Sequence, residues 1–381
     1  MAYFDNAATT YPKPEVVYTF MDEFYRANGA SVGRGNYEKA MSVSHLLQDT
    51  RKRIQGLLNC YAKQVVFTPT ATIALNIILQ GLFQGEKKIV YITPFEHNAV
   101  TRTLHHFEKE NLVKIYELTV NKDLQYDLNA IKRQFCDHKP DILIMSHASN
   151  VCGLVAPVEE LSVMAKEYGS VVIIDMAQTA GLVPCNVGLE TIDFAIFAGH
   201  KTLYGPTGIS GFVMNPAVTI KPVLFGGTGY DSANQDMPTS VPERFEMGTI
   251  NSSGIAGLNA ALRWIEETGI GVIAKKEEEN RLRLIDILSR YDFMQLVGVR
   301  TDRQYVGVVS ALVDGISSDS CGSLFDRLGI AVRTGLQCAP LAHMFLGTFP
   351  AGTVRFSVSY FTTDEDYLEL DRALTYIADN L

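Results

Sequence analysis

The sequence is poor in cysteine, and its six thiols form no recognisable framework. No two of them stand in a Cys-x-x-Cys pair, and they are scattered through 381 residues. This pattern excludes a small disulfide-stapled secreted domain and is typical of reduced thiols in a cytosolic protein. The cysteines are Cys60, Cys136, Cys152, Cys185, Cys321 and Cys338.

The chain also lacks long apolar runs and an excess of positive charge. No run approaches the ~18 apolar residues of a membrane-spanning helix. The opening MAYFDNAATT has neither the basic nor the apolar region of an export signal. Acidic residues outnumber basic ones by 42 to 33, and the formal charge of −9 repels nucleic-acid backbones and anionic lipid surfaces. We therefore expect a cytoplasmic protein that binds neither nucleic acid nor membranes.

Motifs for nucleotides and metals are missing or incomplete. The chain has no GxxxxGK[ST] phosphate loop, and the glycines of GGTGYDS (226–232) do not stand in a strand–turn–helix unit. His105 and His106 have no spaced set of Cys, His or carboxylate partners, so we expect them at the surface. These observations disfavour a nucleoside triphosphatase, a dinucleotide-dependent oxidoreductase and a metalloenzyme.

Short apolar runs alternate with helical patterns between about residues 64 and 215. The alternation predicts βαβ units on a largely parallel sheet, and the unbroken apolar character of the runs predicts strands covered on both faces. Helices are predicted over residues 71–83 and between Pro157 and Gly169. The predicted strands are QVVFT, KKIVYIT, VKIYEL, DILIMSH, SVVIIDM, DFAIFAG and ISGFVMN.

The chain exceeds the ~250 to 300 residues at which a single core stops growing, so two domains are expected. Irregular sequence around GGTGYDS marks the boundary and precedes a helix that we expect Ser253 to cap. A charged helix (275–291), short strands and a last helix opened by TTDE (362–365) then predict a smaller α+β unit. The predicted domains are a large α/β domain at 15–252 and a small domain at 253–381 together with 1–14.

Polar residues follow several of the apolar runs, and the carboxyl ends of parallel strands meet at one edge of a sheet. The helix start at Thr70, Ala71 and Thr72 offers free N–H groups to a phosphate. Each polar residue taken alone is equally a strand-end cap or a solvated loop residue. Together they supply a phosphate cradle, a ring stacker, an acid for a ring nitrogen and a lysine for an imine, which is the set that pyridoxal phosphate needs. The polar residues after the strands are Glu96, His97, Asn150, Asp175, Gln178, His200 and Lys201.

Seven motifs occur in order along the chain and carry a family resemblance. They are Glu96-His97, SNVCG (149–153), DMAQ (175–178), GHK (199–201), RFEMGT (244–249), RTGLQCAP (333–340) and TVRFS (353–357). The chain resembles class V aminotransferase-fold enzymes, specifically the cysteine desulfurases and selenocysteine lyases. The likeness spans nearly the whole sequence. It implies a pyridoxal 5'-phosphate-dependent enzyme of fold type I that acts as a homodimer.

The resemblance assigns roles to the residues that match. Lys201 is the lysine that binds the cofactor, Asp175 is the partner of the pyridinium nitrogen, and His97 stacks on the ring. A carboxylate beside that nitrogen keeps it protonated, so the ring accepts electrons from the substrate. Further cofactor contacts are implied for Thr70, Ala71, Thr72, Asn150, Gln178 and His200, with Gly248 and Thr249 reaching in from the other subunit.

The resemblance makes Cys338 the nucleophile whose thiolate attacks the substrate sulfur. Arg355, 17 residues later, would bind the substrate carboxylate in two-pronged fashion. This spacing looks like that of the short-loop subgroup, whose members usually need an activating acceptor protein. The residues that the resemblance implies for substrate binding are Ala7, Ala8, Asn150, Arg333 and Arg355.

Two positions depart from the family pattern. Ala198 replaces a hydroxyl residue two positions before the His-Lys pair, so one phosphate hydrogen bond must come from elsewhere, and Thr70 is the candidate. Leu336 and Gln337 stand where short-loop enzymes often carry histidines, so the sequence lacks a proton acceptor beside Cys338.

We predict a cysteine desulfurase that converts L-cysteine to L-alanine through a persulfide on Cys338. A C–S β-lyase or selenocysteine lyase acting on another cysteine derivative stays open, because the motifs do not separate these activities. A scaffold protein without turnover is disfavoured by Lys201 together with Asp175, and a true aminotransferase by the loop that carries Cys338.

Overall fold

A computed structural model describes residues 1–30, 37–230 and 233–380. Three short parts of the predictions lie outside the described residues. They are residues 31–36 of the predicted large domain, the last two positions of GGTGYDS, and residue 381 of the predicted small domain.

Thirteen strands and eleven helices occur in the described part of the chain. The strands are β1 Ala2–Tyr3, β2 Gln64–Thr68, β3 Lys88–Ile92, β4 Val113–Glu117, β5 Ile142–Ser146, β6 Val171–Asp175, β7 Phe194–Ala198, β8 Ser210–Met214, β9 Met294–Val297, β10 Val308–Val313, β11 Ile330–Ala331, β12 Arg333–Gly335 and β13 Thr353–Ser357. The helices are α1 Glu15–Asn28, α2 Glu38–Leu57, α3 Ala71–Leu82, α4 Asn98–Lys109, α5 Leu128–Asp137, α6 Val158–Lys166, α7 Ser252–Thr268, α8 Ile270–Leu288, α9 Ser318–Arg327, α10 Pro340–Leu346 and α11 Asp364–Ala378.

The central sheet has seven strands in the order β2-β8-β7-β6-β5-β3-β4. Strand β8 runs antiparallel to both of its neighbours, whereas the other pairings are parallel. All seven strands predicted from the sequence form, and the largely parallel α/β sheet is confirmed. Ser146 pairs with Asp175 where β5 and β6 end, so the polar residues after these strands lie at one edge.

Helices cover both faces of this sheet, which explains why its strands show no polar alternation. In β2, Val65 and Phe67 belong to one core cluster, and Val66 between them belongs to a second cluster that includes α3. Successive side chains of a strand point to opposite faces, so each of these residues is buried on its own side.

The C-terminal part of the chain builds a second, smaller sheet in the order β12-β13-β10-β9. A third core cluster joins it to α8, α9 and α11 and to Phe4 of the N-terminal segment, where β1 pairs with β11. Helix α7 packs against α1 and α2. The domain boundary between residues 252 and 253 stays a prediction.

One predicted helix cap is wrong. Asn251, rather than Ser253, caps α7: its side chain accepts a hydrogen bond from the Gly254 N–H at 2.9 Å and donates one to the Gly208 carbonyl at 3.1 Å. The amide anchors the helix start to the β7–β8 connection, and a serine two residues later lies inside the first turn. The capping box at Thr363 confirms the predicted start of α11. No helix among the described residues has the length and apolar character needed to cross a bilayer.

Candidate active site

A cavity of about 270 Å³ opens at the carboxyl edge of the central sheet. The residues around it come from the ends of β3, β5, β6 and β7 and from the start of α3, which is the arrangement expected for ligand sites in such sheets. The predicted residues in its lining are Thr70, Ala71, Thr72, His97, Asn150, Asp175, Gln178, His200 and Lys201.

Lys201 lies in the turn after β7, and burial lowers the pKa of its amine to about 8. Arg355 lowers this pKa further, whereas Asp175 and Cys338 raise it. A much larger fraction of the amine is therefore neutral near physiological pH than for a solvated lysine. Only the neutral amine can attack a carbonyl group.

Asp175 ends β6, and its Oδ1 accepts a hydrogen bond from the Ala177 N–H at 2.9 Å. Glu96 is fully buried. It accepts hydrogen bonds from the hydroxyl of Thr93 at 2.6 Å and from the N–H of Ser146, the last residue of β5, at 2.7 Å. The pKa of Glu96 is raised to about 7, mainly by burial and in part by the charge of Asp175. Glu96 thus anchors the end of β5, which flanks Asp175 in the sheet.

His97 caps α4, because its Nδ1 accepts a hydrogen bond from the Ala99 N–H at 3.0 Å. The proton of the neutral ring is therefore on Nε2. Burial lowers the pKa of His97, and Asp175 opposes that shift. The cap fixes the ring against the cavity wall, so capping and ring stacking are compatible roles.

The start of α3 has the free N–H groups on which the predicted phosphate site depends. N–H groups in the first turn of a helix have no partner within the helix. The hydroxyl of Thr70 caps the helix by accepting from the Ile73 N–H at 3.2 Å, and its own O–H can still donate to a ligand. Nδ1 of His200 is buried and has no hydrogen-bond partner among the described residues, and burial lowers the His200 pKa to about 4. A free ring nitrogen and free N–H groups fit an oxygen-rich group.

Two amide side chains connect the cavity to neighbouring segments. Nδ2 of Asn150 donates to the Gln337 carbonyl at 2.6 Å, and Nε2 of Gln178 donates to the Ala7 carbonyl at 2.9 Å. The two amides therefore attach the Cys338 loop and the N-terminal segment to the cavity.

Cys338 is exposed and faces a second, larger groove of about 1070 Å³. Helix α4, strand β4 and the start of α10 form the walls of this groove. The Cys338 carbonyl accepts a hydrogen bond from the N–H of Asn98, the residue after His97, at 2.7 Å. The cysteine loop thus lies between the cavity and the groove.

Both arginines expected to bind substrate meet at one carboxylate. Arg355 is buried and donates to Asp5 at 2.9 Å and to the carbonyl of Asn150 at 2.9 Å. Arg333 is half exposed and donates to the other oxygen of Asp5 at 2.7 Å. Nε of Arg355 has no partner among the residues that the structure describes.

Seven of the predicted residues do not line this cavity: Ala7, Ala8, Gly248, Thr249, Arg333, Cys338 and Arg355. Thr249 lines a different cavity, beside β2 and α3. The N–H of Ala8 bonds to the Asp5 carbonyl at 3.0 Å within the N-terminal turn. Ala7 reaches the site only through its carbonyl, which accepts from Gln178.

The sequence reasoning missed two charged residues of the N-terminal segment. Asp5 joins the arginines, and the amine of Lys13 bonds to the His200 carbonyl at 3.2 Å. Burial lowers the pKa of Lys13 to about 8. Both residues belong to the N-terminal segment that also holds the predicted substrate residues Ala7 and Ala8, but the sequence alone could not match either position to a partner far along the chain.

The described residues contain no group of three or more His, Cys, Asp or Glu side chains placed to hold a metal ion.

Comparisons with known proteins agree on one family. Residues 2–370 match the family model described as aminotransferase class-V. A probable cysteine desulfurase of Pyrococcus abyssi is 32% identical over 345 residues, which cover 88% of this chain and 84% of that protein. A cysteine desulfurase of Escherichia coli O8 is 30% identical over 385 residues, which cover 98% of this chain and 92% of that protein.

A solved structure is similar over the whole chain. The apo structure of a cysteine desulfurase from Thermococcus onnurineus NA1 has a TM-score of 0.91 and 29% identity, and the match covers 100% of this chain and 95% of that one. The family model, the sequence relatives and this structure lead to one conclusion: the chain belongs to the aminotransferase class-V family.

Proposed function

We propose that this protein is a pyridoxal 5'-phosphate-dependent cysteine desulfurase that converts L-cysteine to L-alanine and retains the sulfur on Cys338. One observation carries the proposal: the loop of Cys338 is hydrogen-bonded to Asn150, whose side chain lines the cavity of Lys201 and Asp175. A thiol nucleophile and a desolvated lysine are therefore held at one site.

The residues of the cavity fit pyridoxal phosphate. The start of α3 and His200 would hold the phosphate, Asp175 the ring nitrogen, and Lys201 the aldehyde carbon. When bound, the cofactor supplies an electron-withdrawing ring that accepts the electron pair left at the substrate α-carbon.

The protein's own side chains account for the remaining chemistry. Arg355 binds the substrate carboxylate, and the amine of Lys201, whose pKa is lowered to about 8, removes the proton from the α-carbon in its neutral form. The Cys338 thiolate then forms a bond to the substrate sulfur, and the carbon–sulfur bond breaks with its electron pair moving to carbon. The carbon is protonated to give alanine, and Cys338 ends as a persulfide.

A homodimer is part of this proposal. Thr70 and Thr72 are exposed, so the phosphate end of the cavity is open to solvent in a single chain. Gly248 and Thr249 lie outside the chain's own cavity, where a second copy could present them to the open end. The exposed side chains of Leu224, at 44%, and Phe225, at 73%, offer apolar area in the same connection between β8 and α7.

A sulfur acceptor is the second proposed partner. The groove beside Cys338 provides a path to the thiol that does not cross the cofactor cavity. A protein with a nucleophilic cysteine could accept the sulfur there. All six cysteines are free thiols, which supports the reducing cytoplasm as the proposed location.

A C–S β-lyase acting on a cysteine derivative is the alternative, because it needs the same cofactor and lysine. Product analysis separates the two. Purified protein loaded with pyridoxal phosphate is incubated with L-cysteine and a reductant, and alanine, sulfide, pyruvate and ammonia are quantified. Alanine equal to sulfide supports the proposal, whereas pyruvate equal to ammonia overturns it in favour of the lyase.

A further inference from the structure

The loop before α10 holds its two central residues in an uncommon backbone conformation. Gln337 and Cys338 have φ values of 40° and 58°, in the left-handed region. Residues with a Cβ occupy this region at a free-energy cost, and such conformations persist only where surrounding contacts impose them. The contacts around Gln337 and Cys338 must therefore hold the loop in this left-handed conformation.

The side chain of Gln337 is buried and makes the central contacts. Its Nε2 donates to the Thr353 carbonyl at 3.0 Å, and its Oε1 lies 2.7 Å from Nε2 of His343. Rotating the amide by 180° would place its oxygen against the Thr353 carbonyl, so the orientation is fixed by the hydrogen bonds.

His343 completes this network from α10. Because Oε1 of Gln337 can only accept, Nε2 of His343 must carry the proton, and its Nδ1 then accepts from the Thr348 hydroxyl at 2.7 Å. The His343 side chain is fully buried, and burial lowers its pKa to about 4, so the ring is neutral at physiological pH.

The backbone of the same two residues is tied to the cofactor cavity. Asn150 donates to the Gln337 carbonyl, and the Asn98 N–H donates to the Cys338 carbonyl. Arg355 donates in turn to the Asn150 carbonyl. One face of the loop is thus fixed through the Gln337 side chain, and the other through groups that surround the proposed substrate.

We propose that Gln337 is a positioning residue for Cys338: its buried amide, held between His343 and Thr353, fixes the loop so that the thiol stays between the cavity and the groove. This inference rests on the proposed function for its catalytic consequence. The sequence suggested that a glutamine here only removes a proton acceptor, whereas the structure gives it a mechanical role. The amide points into the protein, and its hydrogen bonds hold the loop so that the Cys338 thiol stays in one position.

Loss of the Gln337 amide leaves the Nε2–H of His343 without its acceptor and removes the donor to the Thr353 carbonyl. The loop then relaxes from the left-handed conformation, and the thiol samples positions from which it cannot reach the substrate sulfur. Small displacements of a reacting group lower rate constants strongly.

The test compares Gln337→Leu with the matched control Gln295→Leu, which changes an exposed glutamine on β9. We expect Gln337→Leu to lower kcat for alanine formation by about tenfold or more, with KM for L-cysteine within about threefold of wild type. Hydrogen exchange of the amides in residues 333–341 should be about tenfold faster. The visible absorbance of bound pyridoxal phosphate should be unchanged.

A second pair of variants removes the contact from the other side. His343→Gln keeps an N–H donor near the position of Nε2, whereas His343→Leu does not. We expect His343→Gln to retain most of the wild-type kcat and His343→Leu to resemble Gln337→Leu. Equal values for the two His343 variants would overturn the proposal, as would wild-type kcat and exchange in Gln337→Leu.

The readouts also separate this proposal from the proposed function. If the wild-type protein forms no alanine, the desulfurase assignment fails, but the exchange of residues 333–341 still tests the anchor. If the wild type is active and Gln337→Leu loses the cofactor absorbance together with activity, the residue has a general structural role and the positioning proposal fails.

Discussion

Asp5 forms a buried ion pair with Arg355, 350 residues later, with 2.9 Å between Oδ1 and Nη2. The pair joins the N-terminal segment to β13 at the edge of the candidate site. Burial lowers the pKa of Arg355, and Asp5 opposes that shift by stabilising the charged guanidinium group. The N-terminal segment is therefore attached to the arginine that we propose binds the substrate.

Asp5→Asn removes the charge that balances Arg355. We expect the free energy of unfolding to fall by about 3 kcal/mol, because the guanidinium group stays buried with no counter-charge. KM for L-cysteine should change together with stability, since Arg355 loses its orientation. Urea unfolding and steady-state kinetics measure these effects.

Asp22→Asn is the control for this change, because Asp22 pairs with Arg26 on the surface of α1. The pair is exposed and screened by solvent, so we expect the free energy of unfolding of this variant to stay close to that of the wild type. Similar losses of stability in the two variants would contradict the structural role of Asp5.

Lys201 should give cofactor uptake a distinct pH dependence. With a pKa of about 8, the neutral fraction of the amine rises about tenfold per pH unit below that value and levels off above it. We expect the rate at which apo-protein takes up pyridoxal phosphate, followed by visible absorbance, to plateau above about pH 8. A rate that continues to rise towards pH 10 would mean that Lys201 has the pKa of an ordinary solvated lysine, and would contradict this prediction. Lys201→Ala should develop no band of lysine-bound cofactor.

Cys338→Ala should bind L-cysteine and pyridoxal phosphate but release little sulfide in the presence of a reductant. We expect sulfide formation to fall by about a hundredfold or more, because the nucleophile is absent. Cys136→Ala removes the other exposed thiol, on α5, and should keep wild-type activity. Full sulfide output from Cys338→Ala would support the β-lyase.

Glu277 on α8 should make stability depend on pH. It is fully buried, its Oε1 accepts from the Gly307 N–H at 3.1 Å, and burial raises its pKa to about 8. Its favourable contribution is complete below the unfolded-state pKa of about 4.5 and is lost as the pH rises through about 8.

Glu277→Gln should therefore be more stable than wild type at high pH. The difference in the free energy of unfolding should grow by about 1.4 kcal/mol per pH unit between pH 5 and 8. The control Glu279→Gln changes an exposed residue of the same helix and should show no such trend. A constant difference across this range would mean that Glu277 is ionised in the folded protein.

Local patterns were enough to predict the strands and the polar residues that line the candidate cofactor cavity. Uninterrupted apolar runs are the consequence of helices on both faces, and the polar residues after them must share one edge. Asp175 and Lys201 could therefore be assigned to one site without knowing the strand order. The cap of α7 could not be predicted in this way, because the Asn251 amide also binds the Gly208 carbonyl, 43 residues earlier in the chain.

The sequence by itself determined the fold class and the position of the candidate cofactor site, because these depend on periodicity and on residue types at strand ends. The family was indicated by the resemblance of its seven motifs. Only the tertiary structure decided which groups hold the proposed catalytic side chains in place. Asp5 meets Arg355, and Gln337 meets His343, through contacts whose geometry depends on how two sheets and a loop pack together. Residue types and spacing do not encode those distances, since a buried polar side chain takes its partner from whatever the completed fold brings within hydrogen-bonding range.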